Sequence, residues 1–130
     1  MSTRVLESDD WSLLLPAEWS AEQDEDTIVI GDSDGVGVIE ISELRRQSGD
    51  VETLDLEPLM DQSLSWQAIT LGSFIGWQTH FLEDATFLRE WVLYAGSIIL
   101  YVTYSCESSH QGLDDAAVDE ILATLCYVPP

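Results

Sequence analysis

The chain has no lysine, and its few basic residues are all arginines: Arg4, Arg45, Arg46 and Arg89. Against them stand 25 Asp and Glu residues, so the formal net charge is −21. Such a field repels nucleic acids and anionic membrane surfaces, and it attracts basic proteins at rates that depend on ionic strength. The shortage of positive charge therefore argues against nucleic-acid and membrane partners and favours a basic protein partner. Two other roles of the acidity, solubility and a salt-rich habitat, stay open.

Long apolar runs are also missing. The longest, Ile98–Val102, is far too short to span a bilayer, and Met1–Asp10 lacks the apolar core of a signal peptide. We therefore expect a cytoplasmic protein. The only two cysteines, Cys106 and Cys126, match no zinc spacing and are expected to be free thiols rather than a disulfide.

Motifs for catalysis are lacking as well. The only histidines are His80 and His110, and neither has a sequence context for a nucleophile. No phosphate-binding glycine loop occurs, and without lysine an anionic cofactor lacks its usual counter-charge. Any two of the 25 acids could form a catalytic pair, but no pattern singles one out. We expect no catalytic residue and no cofactor, and an enzyme is the least favoured alternative.

One stretch partly matches a calcium-binding loop. Asp32, Asp34, Glu40 and Glu43 fall at ligand positions of the template, and Gly37 falls at its invariant glycine. A further ligand position holds a valine, and the alternation after it is typical of a β-strand without flanking helices. We therefore predict a β-turn and a strand here, and no metal site.

The apolar content, 45% with five Trp in 130 residues, suffices for one folded domain spanning residues 1–130. Seven strands are predicted: Trp11–Leu15, Thr27–Ile30, Val36–Leu44, Ala68–Phe74, Ile75–Leu82, Phe87–Tyr94 and Ile98–Cys106. A turn is predicted at Pro16–Trp19, and Gly72 and Gly76 indicate a bend or bulge between the fourth and fifth strands. Helical spacing predicts one helix from Asp55 through Leu64 and a second at Asp114–Leu125. The expected class is α+β, a single antiparallel sheet of about six to seven strands with helices packed on it.

Several landmarks accompany this order of elements. They are the opening strand, proline and tryptophan in Trp11–Trp19, the turn Asp32–Gly35, the Gly72-x-Phe74-x-Gly76 motif, the Trp91 to Tyr104 hairpin and the closing helix Val118–Leu125. With them the chain resembles the PsbP-like fold, which a photosystem II extrinsic subunit, a Ran-binding nuclear import factor and DcrB-type bacterial proteins share. The resemblance implies a binding subunit, adaptor or chaperone and no reaction. One bacterial branch resembles chaperones of type VI secretion effectors, but no binding residue carries over.

We therefore expect a non-catalytic protein-binding module. It would be an acidic adaptor, a secretion-effector chaperone or an immunity-type protein that binds a basic or amphipathic segment, itself a monomer or homodimer. The alternative is an acidic nucleic-acid mimic, which would need its acids in two spaced rows. Recognition is assigned to an acid run, an acidic helix and two tryptophans expected to be exposed anchors. The predicted partner-binding residues are Trp19, Glu22, Asp24, Glu25, Asp26, Trp66, Asp114, Asp115 and Asp119.

Overall fold

Period-two alternation of apolar and polar residues builds most of this fold. The computed structural model describes residues 3–33 and 35–129. Its strands are β1 (Arg4–Glu7), β2 (Trp11–Leu15), β3 (Trp19–Asp24), β4 (Thr27–Asp32), β5 (Gly37–Arg45), β6 (Gln67–Leu71), β7 (Phe74–Glu83), β8 (Thr86–Ala95), β9 (Ile98–Glu107) and β10 (Cys126–Tyr127). The helices are α1 (Thr53–Leu56) and α2 (Asp115–Ala123), with 3₁₀ turns at Glu57–Leu59 and Ser108–His110.

The strands form two antiparallel sheets, one of seven strands in the order β3-β4-β5-β9-β8-β7-β6 and one of three in the order β1-β2-β10. The predicted α+β class with a single sheet is therefore wrong. Strands hold 53% of the described residues and helices 15%, so the protein is mostly β. The prediction failed because it overestimated the first helix and missed β1, β3 and β10.

Two local predictions need correction. The chain does not run on from Ala68–Phe74 into Ile75–Leu82, because a tight turn at Gly72 reverses it and separates β6 from β7. The turn predicted at Pro16–Trp19 is confirmed, since the Trp19 N–H donates to the Pro16 carbonyl at 3.0 Å, but the strand β3 that begins at Trp19 was not predicted. The predicted first helix is only α1 and one 3₁₀ turn. Its apolar residues have the spacing of a helix, but most of them pack onto the sheet from a segment that is largely irregular.

The other long elements are confirmed. β2 has the predicted bounds, β8 and β9 pair in the predicted hairpin, and α2 lies within Asp114–Leu125. Four hairpins have two-residue turns whose first residue has a positive φ: Glu25, Gly72, Asp84 and Gly96. Positive φ at that position is what a type II′ turn requires, and such turns suit the twist of paired strands. The turns fix the register within these four strand pairs.

Alternation gives the seven-stranded sheet two faces. The first face carries the main core, in which Trp91 and Leu100 of the central strands pack with β2 and with Ile121 and Leu122 of α2. The second face is covered only in part. There Val51 and Leu56, from the segment between β5 and β6, pack on Val92 and Ile99. None of the helices described is long and apolar enough to cross a membrane.

Candidate protein-interaction surface

The acid run at residues 22–26 is divided by the geometry of a strand. Glu22 and Asp24 lie on the second face of the sheet, whereas Gln23 between them lies on the first. Glu25 and Asp26 form the turn between β3 and β4. The five consecutive residues therefore do not make one patch, although each of these four acids is exposed.

Glu22 begins a row of residues that crosses five strands of the second face. The register aligns, in order across the sheet, Glu22, Val29, Glu40, Thr103 and Glu90. Neighbouring strands lie about 4.8 Å apart, so the three carboxylates recur on every second strand at intervals of about 10 Å. We call this set the acidic row. Its members come from segments far apart in the sequence.

A second row runs beside the first on the same face. The register aligns Val38 with Ser105, Ser105 with Leu88, and Leu88 with Phe81. All four side chains are half-buried. Since three of the four are apolar, we call this set the apolar row. It lies two residues along each strand from the acidic row, a distance of about 7 Å. We call the two rows together the open face. It presents apolar surface and carboxylates side by side.

The arginines are engaged elsewhere in the fold. Arg45 pairs with Asp10 and Glu43, and Arg46 pairs with Asp55. Arg4 donates a hydrogen bond to the backbone carbonyl of Trp19, and Arg89 pairs with two aspartates of α2. No position of either row is basic. The negative charge of the open face therefore has no counter-charge within its own rows.

Glu90 is the half-buried one of the three carboxylates in the acidic row, since Glu22 and Glu40 are exposed. Burial raises the pKa of Glu90 above its ordinary value, and the negative charges of Asp61 and Glu83 raise it further. A hydrogen bond with Tyr101 acts in the opposite direction. In return, burial and the neighbouring Glu90 raise the pKa of Tyr101 to about 12. A cation brought to this row would stabilise the ionised Glu90 and so lower its pKa.

The three predicted partner-binding aspartates at the acidic helix α2 have hydrogen-bond or ion-pair partners within the fold. Asp114, immediately before α2, is 7% exposed and accepts a hydrogen bond from the Tyr104 hydroxyl at 2.7 Å. Arg89 donates to Asp119 at 2.7 Å and reaches Asp115 at 3.5 Å. Asp114 is therefore unavailable to a partner, and the charges of the other two acids are partly compensated by one arginine.

The two tryptophans proposed as anchors are not freely exposed. Trp19 is 3% exposed because β3 places it on the first face, within the main core, and the expectation that it is exposed is wrong. Trp66 is half-buried and packs on the second face, where its indole N–H donates to the Asp61 carbonyl at 3.0 Å. Trp66 is therefore no freely exposed anchor, and it is half-buried like Val38 and Leu88 of the apolar row.

Sequence reasoning missed Glu40 and Glu90 as site residues. Both fall in strands that were predicted, and alternation alone assigns each to one face of its strand. The missing information was the register between strands, which depends on the turns and on the core. The same alternation separates two candidates for a calcium loop, because Glu40 lies on the second face and Glu43 on the first. Asp34, a further candidate, lies outside the described residues.

Two clefts lie away from the open face. One, of about 520 Å³, is lined by Gln78, His80, Arg89 and Asp115 between the sheet and the start of α2. The other, of about 440 Å³, is lined by Glu25, Asp26, Glu43 and Trp11, whose indole N–H donates to Glu43 at 2.8 Å. Within residues 3–33 and 35–129, no three His, Cys, Asp or Glu side chains group closely enough to hold a metal ion. Both clefts are wide, polar depressions without an evident catalytic pair.

No protein-family model and no curated protein matches the chain. Solved structures do match. A protein from Bacteroides thetaiotaomicron superposes with a TM-score of 0.70 at 18% identity, covering 92% of this chain and 45% of its own. LpqN of Mycobacterium tuberculosis, described as involved in cell envelope biogenesis, superposes with a TM-score of 0.62 at 15% identity, covering 98% of this chain and 91% of its own. The chain thus spans less than half of the Bacteroides protein, and at these identities it is similar to both proteins in fold alone.

Proposed function

We propose that the chain is a non-catalytic protein-binding module whose open face takes a basic, amphipathic segment of another protein. The observation that carries this is the strand register, which sets the carboxylates of Glu22, Glu40 and Glu90 beside an apolar row with no basic residue in either. An adaptor, a secretion-effector chaperone and an immunity-type protein all need such a surface. The resemblance to PsbP-like binding proteins supports the same class.

The two rows have different physical roles. A net charge of −21 steers a basic partner toward the surface and speeds its association at low salt. The apolar row loses contact with water on binding, so it slows dissociation. Lys or Arg side chains spaced about 10 Å apart on the partner would meet the carboxylates, while apolar side chains between them would cover Val38, Leu88 and Phe81.

A cytoplasmic location belongs to this proposal. Its support is that both cysteines are unpaired, Cys106 in the core and Cys126 at the surface, as a reducing compartment would keep them. Fractionation of the native cell, with the chain detected by antibody, tests this location separately from the binding role.

The binding test uses a synthetic peptide in which Lys and Leu side chains alternate, with association and dissociation followed by stopped flow. Glu22→Gln combined with Glu40→Gln should slow association several-fold at low salt. The matched control combines Glu18→Gln with Glu57→Gln, which removes the same charge from exposed sites outside the open face. Leu88→Ala should mainly speed dissociation, and Leu113→Ala, at an exposed leucine elsewhere, should not.

Salt provides the second readout. Raising ionic strength shortens the Debye length from about 30 Å to about 8 Å, and association of the unaltered chain should slow steeply over that range. If the open-face and control variants behave alike, general acidity and not this surface binds the peptide. If neither rate responds to salt, the charge serves solubility and the proposal fails.

A further inference from the structure

β6 and all of β7 except its last residue, Glu83, lie in the longest charge-free part of the sequence. Between Asp61 and Glu83 there is no Asp, Glu or Arg, although the chain as a whole is 22% charged. The hairpin of β6 and β7 includes an edge of the seven-stranded sheet, because β6 is the outermost strand. A strongly acidic protein therefore has one sheet edge without charge.

The other sheet edges are protected. β3 carries the exposed Glu22 and Asp24, β1 carries Arg4 and Glu7, and β10 is only two residues long. β6, Gln67–Leu71, has neither charge nor proline, the two features that commonly prevent an edge from pairing with another strand. This edge is open to a further strand.

The backbone of β6 has groups that point away from β7. In a two-residue hairpin the residues that close the turn, here Leu71 and Phe74, exchange backbone hydrogen bonds. From there on, hydrogen-bonded and non-hydrogen-bonded residue pairs alternate along the two strands. Ile69 therefore bonds to β7, whereas the N–H and C=O groups of Ala68 and Thr70 point outward. Both of these residues are exposed, and the described chain provides no other backbone partner for them.

Apolar surface lies beside this edge. Ile75 is 45% exposed, and it lines a cleft of about 410 Å³ together with Trp77 and Tyr94. A strand added to β6 would reduce the exposure of this surface. The added strand would thus gain apolar contact as well as hydrogen bonds.

We propose that β6 pairs antiparallel with β6 of a second copy of this chain, on a two-fold axis at Ile69. Ala68 then exchanges hydrogen bonds with Thr70 of the second copy, and the symmetric pair does the same, while the two Ile69 side chains face each other. A second copy fits better than a foreign strand, since β6 satisfies the self-complementary pairing that a two-fold interface needs. The charge-free edge is also where two chains of net charge −21 repel each other least. This inference does not depend on the open face.

Its salt dependence has the opposite sign from that of the proposed function. Two chains of like charge repel each other, so screening should tighten the dimer as salt rises. The basic peptide should bind more weakly under the same conditions. Sedimentation equilibrium of the full chain at low and high salt needs no peptide, so failure of one proposal is distinguishable from failure of the other.

The variant Ala68→Pro removes an outward N–H from β6 and leaves the bonds to β7 in place, as proline is tolerated on an edge strand. It should raise the dimer dissociation constant about tenfold or more, since two symmetric hydrogen bonds are lost. A second pair of variants controls for folding: Ala68→Glu should also weaken the dimer, whereas Ala116→Glu, at an exposed site on α2, adds the same charge and should weaken it much less.

Cross-linking tests the geometry. In a Cys126→Ser background, Ile69→Cys should form a disulfide-linked dimer on mild oxidation, because facing residues of a non-hydrogen-bonded antiparallel pair lie about 4.5 Å apart at Cα. Leu113→Cys, which is exposed elsewhere, is the matched control. A chain that stays monomeric at every salt concentration overturns the proposal. A dimer that ignores Ala68→Pro, with Ile69→Cys linking no faster than Leu113→Cys, overturns it too.

Discussion

Tyr104 donates its phenolic hydrogen to the carboxylate of Asp114 across 2.7 Å, and both residues are buried. The bond ties the central strand β9 to the residue that precedes α2. Gly37 on the neighbouring strand makes room for it, since a Cβ at that position would lie 2.4 Å from the Tyr104 hydroxyl oxygen. This buried hydrogen bond thus anchors the start of α2 to the first face of the sheet.

Removing that hydroxyl should destabilise the protein. Tyr104→Phe leaves a buried carboxylate without its donor, and we expect the free energy of unfolding to fall by about 1.5–3 kcal/mol. Urea titration followed by tryptophan fluorescence measures the change. Tyr94→Phe removes a hydroxyl from a half-buried site and should cost much less. Equal costs for the two variants would show that the bond to Asp114 contributes nothing specific.

Alkaline pH should weaken the fold before all tyrosines ionise. Burial raises the pKa of Tyr101 from 10.0 to about 12, and burial with the Asp114 hydrogen bond raises the pKa of Tyr104 in the same direction. The folded state therefore holds protons that the unfolded state releases, so this stability is complete below pH 10.0 and is lost as pH rises toward about 12. Ultraviolet titration of the four tyrosines should show late ionisation that disappears in urea. In Tyr101→Phe the free energy of unfolding should fall less as pH rises, and a fall as large as in the unaltered chain would contradict this.

The docking of α2 rests on apolar contacts in the main core. Leu122 is fully buried against the sheet. Leu122→Ala should therefore cost about 2–5 kcal/mol, from lost transfer energy and the cavity left behind. Leu113→Ala, at a side chain that is 69% exposed, should change the free energy of unfolding by less than about 0.5 kcal/mol. A Leu122→Ala loss as small as that of Leu113→Ala would mean that the helix does not stabilise the sheet.

Two turns place a non-glycine residue at positive φ. Asp84 has a φ of 56° at a position where Gly96 in the next hairpin has 55°. Since glycine adopts this conformation without the Cβ penalty, Asp84→Gly should stabilise the fold by about 0.5–1 kcal/mol. Gly96→Ala should do the reverse and cost more than about 1 kcal/mol, because its Cβ would lie 2.2 Å from the Tyr127 hydroxyl oxygen. Thermal unfolding of both variants checks this, and a destabilising Asp84→Gly would contradict it.

The elements that could be predicted from the sequence are those whose local signals agree with their tertiary surroundings. Pro16 stops β2 where its alternation ends, and Gly96 supplies the turn between two aromatic, β-branched strands. β3 escaped prediction because Glu, Gln and Asp have low strand propensity, so its residues read as a loop. What makes it a strand is pairing with β4, which lies outside any local window.

The candidate site was less predictable than the fold. The acid run suggested a charged patch, but the patch that forms joins one acid of that run, Glu22, to Glu40 and Glu90 from two other strands. A shift of one residue in either pairing would move a carboxylate to the other face. Composition therefore indicated the sign of the surface charge, while the surface itself depends on the register of the whole sheet.

The three-stranded sheet also bears on how the chain reaches its native state. Ser12 of β2 pairs on one side with Glu7 of the adjacent hairpin and on the other with Cys126, near the opposite end of the described chain. Closing so long a loop is slow compared with forming a hairpin. While the polypeptide emerges from the ribosome, one edge of β2 therefore stays unpaired until β10 has been synthesised.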